Sequence, residues 1–155
     1  MTGNANESGN TSIAMDALAA LRAGNQRFVS GEHTIADQAT NARRQSGVAQ
    51  QKPFAAILGC SDSRVPVEIV FDQGLGELFV IRVAGNIVAP SQIGSIEFAA
   101  QAFGTRLVVV LGHSRCGAVA ATIDALRGSV PSNSQNLYSI VDRIKPSANS
   151  ILPTS

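Results

Sequence analysis

The chain has 155 residues, of which 45% are hydrophobic, so it is long enough for one domain with a core and too short for two ordinary domains. Twelve Lys and Arg against eleven Asp and Glu give a net charge of +1, which favours neither a nucleic acid nor an anionic membrane as a partner. The two cysteines, Cys60 and Cys116, exclude a scaffold held by several disulfides, but they leave a single disulfide or a metal site open.

The chain starts with a polar segment. Residues 1–11 lack the basic start and the apolar stretch of a secretory signal, and their composition predicts a disordered tail ahead of a single domain over residues 12–155. The longest aliphatic run, residues 107–111, is far shorter than the roughly 20 residues that span a bilayer. We therefore expect a soluble, cytoplasmic protein that does not bind membranes.

The first predicted element is an amphipathic helix. Ser12 is a suitable N-cap, and apolar residues recur at helical spacing from Met15 to Phe28. This helix should end near Gly31. Residues 32–51 are polar and show no apolar period, which predicts a surface connector with room for a helical turn.

Three short apolar runs follow, at residues 54–58, 78–81 and 107–111. Runs of this length without polar alternation are typical of strands that are buried on both faces.

Helical patterns alternate with these strands, at residues 66–71, 93–103, 117–126 and 137–145. Pro66 fits the first position of its helix, and Pro146 is expected to stop the last one. Strands that alternate with helices pair in parallel through right-handed crossovers. The sequence therefore predicts an α/β fold, with a parallel sheet flanked by helices.

Three residues of metal-binding types follow two of the predicted strands. Cys60 comes directly after the first strand, and His113 and Cys116 come after the third. Ligands bind at the carboxyl ends of strands in an open parallel sheet, so these side chains converge if the two strands are neighbours. Taken singly, each cysteine could be an inert core residue and the histidine a capping residue. Together, two thiolates and an imidazole favour one Zn²⁺ per chain, with a fourth position left for water.

Asp62 follows the candidate ligand Cys60 by two positions and precedes Arg64 by two positions. An exposed pair of this kind contributes only ~0–1 kcal/mol to stability. Beside a metal, the same pair can act as a switch. Held by Arg64, Asp62 leaves the fourth position to water and accepts a hydrogen bond from it, whereas a released Asp62 is a candidate fourth ligand that closes the site.

The segments CSDSRV at residues 60–65 and GHSRCG at residues 112–117 strongly resemble the two signature segments of the β-class carbonic anhydrases. Further similarity lies in LxxGNxxF from Leu21, in FVIR from Phe79 and in Gly85-Asn86, so that the resemblance extends from about residue 13 to residue 145.

The resemblance implies a zinc lyase. Cys60, His113 and Cys116 would bind Zn²⁺, and Asp62 with Arg64 would form the catalytic dyad. The implied reaction is the reversible hydration of carbon dioxide to bicarbonate and a proton by zinc-bound hydroxide. Because two thiolates cancel the charge of the ion, deprotonation of the water is harder than at a three-histidine site, and activity is expected to rise on the alkaline side.

Substrate contacts are implied by the same resemblance. Gln51 is similar to the glutamine that hydrogen-bonds substrate in the plant-like subtype, although it could equally be a surface amide of the connector. The backbone N–H of Gly117 would assist, and Phe79 and Ala84 would line an apolar pocket. Phe98 stands where many relatives carry a tyrosine, so the hydroxyl of that position is missing.

The family also implies assembly and a longer fold. Its members form dimers or dimers of dimers, with the N-terminal helix on the partner and the pocket near the interface, so we expect at least a homodimer. The family's further C-terminal strands are expected to be missing here, which leaves the third strand at an exposed sheet edge. A partner chain, a shortened fold or a fragment would each account for that edge.

Two alternatives to carbon dioxide hydration stay open. A relative within the enzyme class would hydrolyse carbon disulfide or carbonyl sulfide on the same scaffold. A different class of function is a non-catalytic dimerisation module that zinc stabilises.

Overall fold

The computed structural model describes residues 4–34, 40–129 and 134–151. Within these ranges the helices are α1 (Asn4–Ser30), α2 (Asn41–Ser46), α3 (Val67–Val70), α4 (Pro90–Ala102), α5 (Gly117–Leu126) and α6 (Gln135–Ile151). The strands are β1 (Ala55–Gly59), β2 (Leu78–Arg82) and β3 (Val108–Leu111), and a 3₁₀ turn (Ala84–Asn86) follows β2. None of the helices in these ranges is both long and apolar enough to cross a membrane.

The three strands form one parallel sheet with the order β2-β1-β3. All five residues of the central strand β1 are buried, because strands flank it on both sides and helices pack on the sheet. Leu21 of α1 and Val67 of α3 join Ala55 and Ile57 in the main core cluster, while α4 contacts β1 and β2. The predicted α/β fold with a parallel sheet is confirmed.

Strand β3 lies at a sheet edge in the part of the chain that the structure describes. Val109 and Leu111 pack against the core cluster, whereas Val108 and Val110 are 44% and 58% exposed. Alternate residues of a strand point to opposite faces, so one face of β3 is covered and the other is open. The edge position expected from the sequence is confirmed.

Helix α1 begins earlier than predicted. It starts at Asn4, ahead of the predicted N-cap Ser12; the division into a tail over residues 1–11 and a domain over residues 12–155 stays a prediction. Once a helix is nucleated, each further residue adds a backbone hydrogen bond, and no proline interrupts this segment. Residues 1–3 lie outside the described residues.

Two prolines occupy positions that differ from the predictions. Pro66 has an extended ψ of 118° and precedes α3 instead of opening it. Pro146, expected to stop the last helix, lies inside α6. A proline costs a helix one backbone hydrogen bond, but Ile144 and Ala148 on either side of it are buried. Their packing holds the helix together across the proline.

The second half of α1 is anchored to the segment after α3. Gly24 allows a close approach to Phe71, because a Cβ there would lie 1.8 Å from the Phe71 carbonyl oxygen. Asn25 Nδ2 donates to the Val70 carbonyl oxygen at 3.0 Å. One turn later, Arg27 Nε donates to the buried carboxylate of Asp72 at 2.5 Å. These contacts give a structural role to Gly24 and Asn25, which the sequence marked only through a resemblance.

Candidate metal centre

The candidate ligands lie at the carboxyl ends of neighbouring strands. Gly59, the last residue of β1, pairs in register with Leu111, the last residue of β3. Cys60 directly follows β1, and His113 follows β3 after one intervening residue. Cys116 precedes α5 as its N-cap residue. The sequence predicted convergence on the condition that these two strands are neighbours; the structure meets that condition, and adjacency is what brings the three side chains together.

The three ligand atoms are spaced as a metal site requires. They lie within 4.8 Å of one another, and Cys60 Sγ is 3.9 Å from Cys116 Sγ. Two sulfurs bound at about 2.3 Å to a tetrahedral zinc ion would be about 3.8 Å apart, whereas a disulfide requires about 2.05 Å. Both thiols are free and buried. The geometry therefore fits a shared metal ion and not a disulfide.

His113 presents one nitrogen to this cluster. Its Nδ1 lies 2.9 Å from the Ser114 carbonyl oxygen, which fixes the proton on Nδ1 and leaves a lone pair on Nε2. Nε2 is buried, and the described residues give it no hydrogen-bond partner. An orphaned buried nitrogen is costly, and a ligating histidine has this arrangement of donor and lone pair. The residue thus fits zinc coordination through Nε2.

The surroundings of Cys60 favour its ionised form, which is the form that binds metals. Burial opposes ionisation, but His113 in its protonated form and the backbone N–H groups of Asp62 and Gly85 outweigh it. Together they lower the pKa of the Cys60 thiol from 9.0 to about 7. The N–H of Gly85 lies 3.3 Å from the sulfur, so the turn after β2 contributes directly to this environment.

Asp62 is held by Arg64 beside the ligand set. Arg64 donates from Nε to Oδ1 at 2.9 Å and from Nη2 to Oδ2 at 2.7 Å, and its backbone N–H also donates to Oδ1 at 2.9 Å. These hydrogen bonds hold the pKa of Asp62 well below its usual range. Asp62 Oδ2 lies 3.9 Å from His113 Nε2. Of the two arrangements considered from the sequence, the structure has the one in which Arg64 retains Asp62.

Two arginines tie the ligand loops to each other and to the sheet. Arg64 Nη2 donates across to the Arg115 carbonyl oxygen at 3.2 Å, in the loop between His113 and Cys116. Arg82, at the end of β2, donates to the carbonyl oxygens of Cys60 and Asp62. Sequence reasoning assigned Arg82 no role. The available signal was its place at the end of a strand that neighbours the first ligand.

Two of the predicted substrate residues lie next to the ligands in the chain. Gly117 is the first residue of α5, directly after Cys116. Ala84 begins the 3₁₀ turn and precedes Gly85, whose N–H contacts Cys60 Sγ. The backbone thus places both residues at the carboxyl edge of the sheet.

The two predicted aromatic residues lie elsewhere. Phe79, near the start of β2, packs with Phe98 and Phe103 at ring-centroid distances of 6.1 Å and 5.8 Å. Phe98 is 54% exposed. The distance along the strand from Phe79 to the end of β2 is about 10 Å. The three rings therefore lie toward the amino ends of the strands, away from the candidate ligands.

Gln51 is also separated from the metal centre of its own chain. It precedes β1 by four residues, and it lines a cavity together with Arg43, Lys52 and Glu77. The five residues of β1 span about 16 Å, and Cys60 lies beyond their far end. Within one chain, the structure does not bring Gln51 to the ligands.

Comparison with known proteins gives a consistent match. Residues 55–154 match the family model described as carbonic anhydrase. A carbonic anhydrase of Mycolicibacterium smegmatis is 48% identical over 129 residues, which cover 83% of this chain and 61% of the relative. Carbonic anhydrase 2 of Mycobacterium tuberculosis is 45% identical over the same shares of both chains. This chain thus spans about three fifths of the length of these curated relatives.

A solved structure agrees with the sequence matches. A tetrameric β-carbonic anhydrase of Sordaria macrospora superposes with a TM-score of 0.61 at 27% identity. The superposition covers 69% of this chain and 53% of the Sordaria chain.

Proposed function

Because this chain belongs to the carbonic anhydrase family, we propose that it catalyses the reversible hydration of carbon dioxide to bicarbonate and a proton. The observation that carries the proposal is the convergence of two free thiols and an imidazole nitrogen, which has no partner among the described residues, beside a carboxylate that Arg64 holds. Cys60, His113 and Cys116 would hold one zinc ion per chain. The cytoplasmic location expected from the sequence stays a prediction.

A bound zinc ion supplies Lewis-acid activation of a water molecule. The protein supplies the acceptor that orients the water. Asp62 stays ionised because Arg64 lowers its pKa, so it can accept a hydrogen bond at Oδ2 and does not compete as a proton donor. Arg64 also fixes the orientation of the carboxylate, because it donates a hydrogen bond to each of the two carboxylate oxygens.

The remaining predicted residues have separate roles. The backbone N–H of Gly117, an exposed residue at the start of α5, is available to an oxygen of the product bicarbonate, since the first N–H groups of a helix lack partners within the helix. Ala84 contributes an apolar side chain beside the Cys60 loop, suited to a nonpolar substrate. Gln51 and the aromatic pair Phe79 and Phe98 lie away from the ligands of their own chain, so we propose that Gln51 reaches substrate from a partner chain of a homodimer or a dimer of dimers.

The proposal is tested with purified, zinc-loaded protein and two variants. Asp62→Asn removes the anionic acceptor but keeps the shape of the side chain, so carbon dioxide hydration should fall by about 100-fold or more while the zinc content stays at one ion per chain. Asp142→Asn changes an exposed carboxylate on α6 and serves as the matched control. Stopped-flow measurement of proton release gives the rate, and metal analysis gives the zinc content.

Other outcomes point to the alternatives. A parent protein that holds stoichiometric zinc but does not hydrate carbon dioxide contradicts the proposal. Hydrolysis of carbon disulfide or carbonyl sulfide by that protein would then indicate the related hydrolase, and inactivity towards all three substrates would favour the zinc-stabilised dimerisation module.

A further inference from the structure

Arg82 braces the loop that carries both a metal ligand and the catalytic carboxylate. Its Nε donates to the Cys60 carbonyl oxygen at 2.8 Å, and its Nη2 donates to the Asp62 carbonyl oxygen at 2.6 Å. One guanidinium group therefore spans the two carbonyls on either side of Ser61. We propose that Arg82 is a positioning residue, which fixes the backbone of this loop so that the Cys60 thiolate and the Asp62 carboxylate face the same point.

The backbone of Arg82 is held in place by the sheet. Arg82 pairs in register with Gly59 in the parallel sheet, and the N–H of Val83 donates to the Gly59 carbonyl oxygen at 3.1 Å. Its Cα is thus fixed relative to the residue that precedes Cys60. A planar guanidinium with several donors in a fixed fork suits two acceptors at a set spacing, whereas the ammonium of lysine is a single point charge on a flexible stem.

The same short segment makes a second kind of contact with the loop. Arg82 holds carbonyl oxygens, and Gly85, three residues later, directs its N–H at Cys60 Sγ. The end of β2 and the turn after it therefore contact both the backbone and the sulfur of the first ligand. Orientation of a metal ligand by surrounding hydrogen bonds is a general property of metal sites, and loss of such a contact typically costs 10–100-fold in metal affinity or activity.

Asp62 is held at both ends by different arginines. Arg64 binds its carboxylate, and Arg82 binds its carbonyl oxygen. Without Arg82, the Asp62 carbonyl keeps the N–H of Val65 at 3.2 Å, but the brace to the sheet is gone. The carboxylate would still be paired, yet its distance from the ligand set would no longer be fixed. Since Asp62 is taken here as the acceptor for the nucleophilic water, this role of Arg82 rests on the proposed function.

The test compares Arg82→Met and Arg82→Lys with the parent. Arg106→Met, at an exposed arginine just before β3 and thus at the opposite edge of the sheet, is the matched control. Zinc affinity is measured by competition with a chelator, and the geometry of the site by the visible absorption of the protein loaded with Co²⁺. Turnover of carbon dioxide is split into kcat and KM.

Arg82→Met should weaken zinc affinity by about 10-fold or more, shift the Co²⁺ bands and lower kcat with little change in KM. The zinc affinity and kcat of Arg82→Lys should lie between those of Arg82→Met and those of the parent, because one ammonium cannot span both carbonyls. Arg106→Met should behave as the parent.

The proposal is overturned if folded Arg82→Lys and Arg82→Met keep the zinc affinity within twofold and the Co²⁺ spectrum of the parent, even when their thermal stability drops. If Arg82→Met does not fold, Arg82→Lys decides alone by the same criteria. The metal measurements do not depend on turnover. A parent that binds zinc without hydrating carbon dioxide therefore refutes the proposed function and leaves the test of Arg82 intact.

Discussion

Replacing Gly24 with alanine tests how α1 is anchored to the rest of the domain. The added Cβ would lie 1.8 Å from the Phe71 carbonyl oxygen and 2.8 Å from Gln73 Nε2, where real contacts stay above 3.0 Å. Gln73 can move its flexible side chain, but the Phe71 carbonyl belongs to the backbone. The helix must therefore shift outward by more than 1 Å at this position.

The size of the effect follows from the contacts that this shift breaks. Loss of the hydrogen bond from Asn25 to the Val70 carbonyl costs about 1 kcal/mol. The pair of Arg27 with Asp72 is worth more, but Arg27 is 37% exposed, so we take about 2 kcal/mol, below the value for a fully buried pair. Alanine returns about 1 kcal/mol of helix propensity. The expected net loss is about 2 kcal/mol, or a fall of about 4–8 °C in Tm.

Urea and thermal unfolding followed by circular dichroism measure this change on zinc-loaded protein. Gly9→Ala is the matched control in the same helix, because no atom of the described part of the chain lies within 4 Å of a Cβ placed there. It should leave stability unchanged or raise it by up to about 1 kcal/mol. A Gly24→Ala variant as stable as the parent would refute the close approach of α1 to Phe71, as would an equal loss in the control.

Two further predictions concern the acid stability of the fold and its assembly. Burial opposes ionisation of Asp72, but hydrogen bonds from Arg27 and Thr34 outweigh it and lower its pKa below 3.8. The ionised carboxylate thus stabilises the fold above pH 3.8, and this contribution is lost as the pH falls through the lower pKa of the folded state. Asp72→Asn should lower the free energy of unfolding by about 3 kcal/mol at neutral pH, and the difference in stability between variant and parent should shrink in acid. A difference in thermal stability that stays constant across pH would contradict this. If Gln51 acts across a dimer interface, mixing inactive Gln51→Ala and Cys116→Ser chains by refolding should restore about a quarter of the parental activity, whereas no recovery in a mixed dimer would place Gln51 outside the partner's site.

The convergence of the candidate ligands was predictable because it depends on chain-local features. Cys60 and His113 directly follow apolar strands, and parallel strands end at a common edge of the sheet. The pairing of Asp62 with Arg64 was predictable for a similar reason, since only Ser63 separates them in the chain. In the first case each ligand is close in sequence to the end of its own strand, and in the second the two paired residues are close to each other.

Positions that depend on distant packing were not predictable. Pro146 predicted the end of a helix, but burial of Ile144 and Ala148 carries α6 past it. The resemblance places Gln51 with the substrate residues, and only the structure shows that the length of β1 separates it from the ligands of its own chain. Local propensities do not tell which distant residues will bury a helix face, or at which end of the strands a residue will lie in the folded chain.

The amino-acid sequence by itself determined the α/β class, the order of strands and helices along the chain, and the set of residues able to bind a metal, because all of these follow from periodicity, strand length and side-chain chemistry. Only the tertiary structure decided how the site is held: that β1 lies between β2 and β3, that Arg64 reaches across to the Arg115 carbonyl oxygen, and that Arg82 bridges two backbone carbonyls of the ligand loop. These contacts join residues that are brought together by strand pairing, and a hydrogen bond between two such groups has no trace in the sequence of either segment alone.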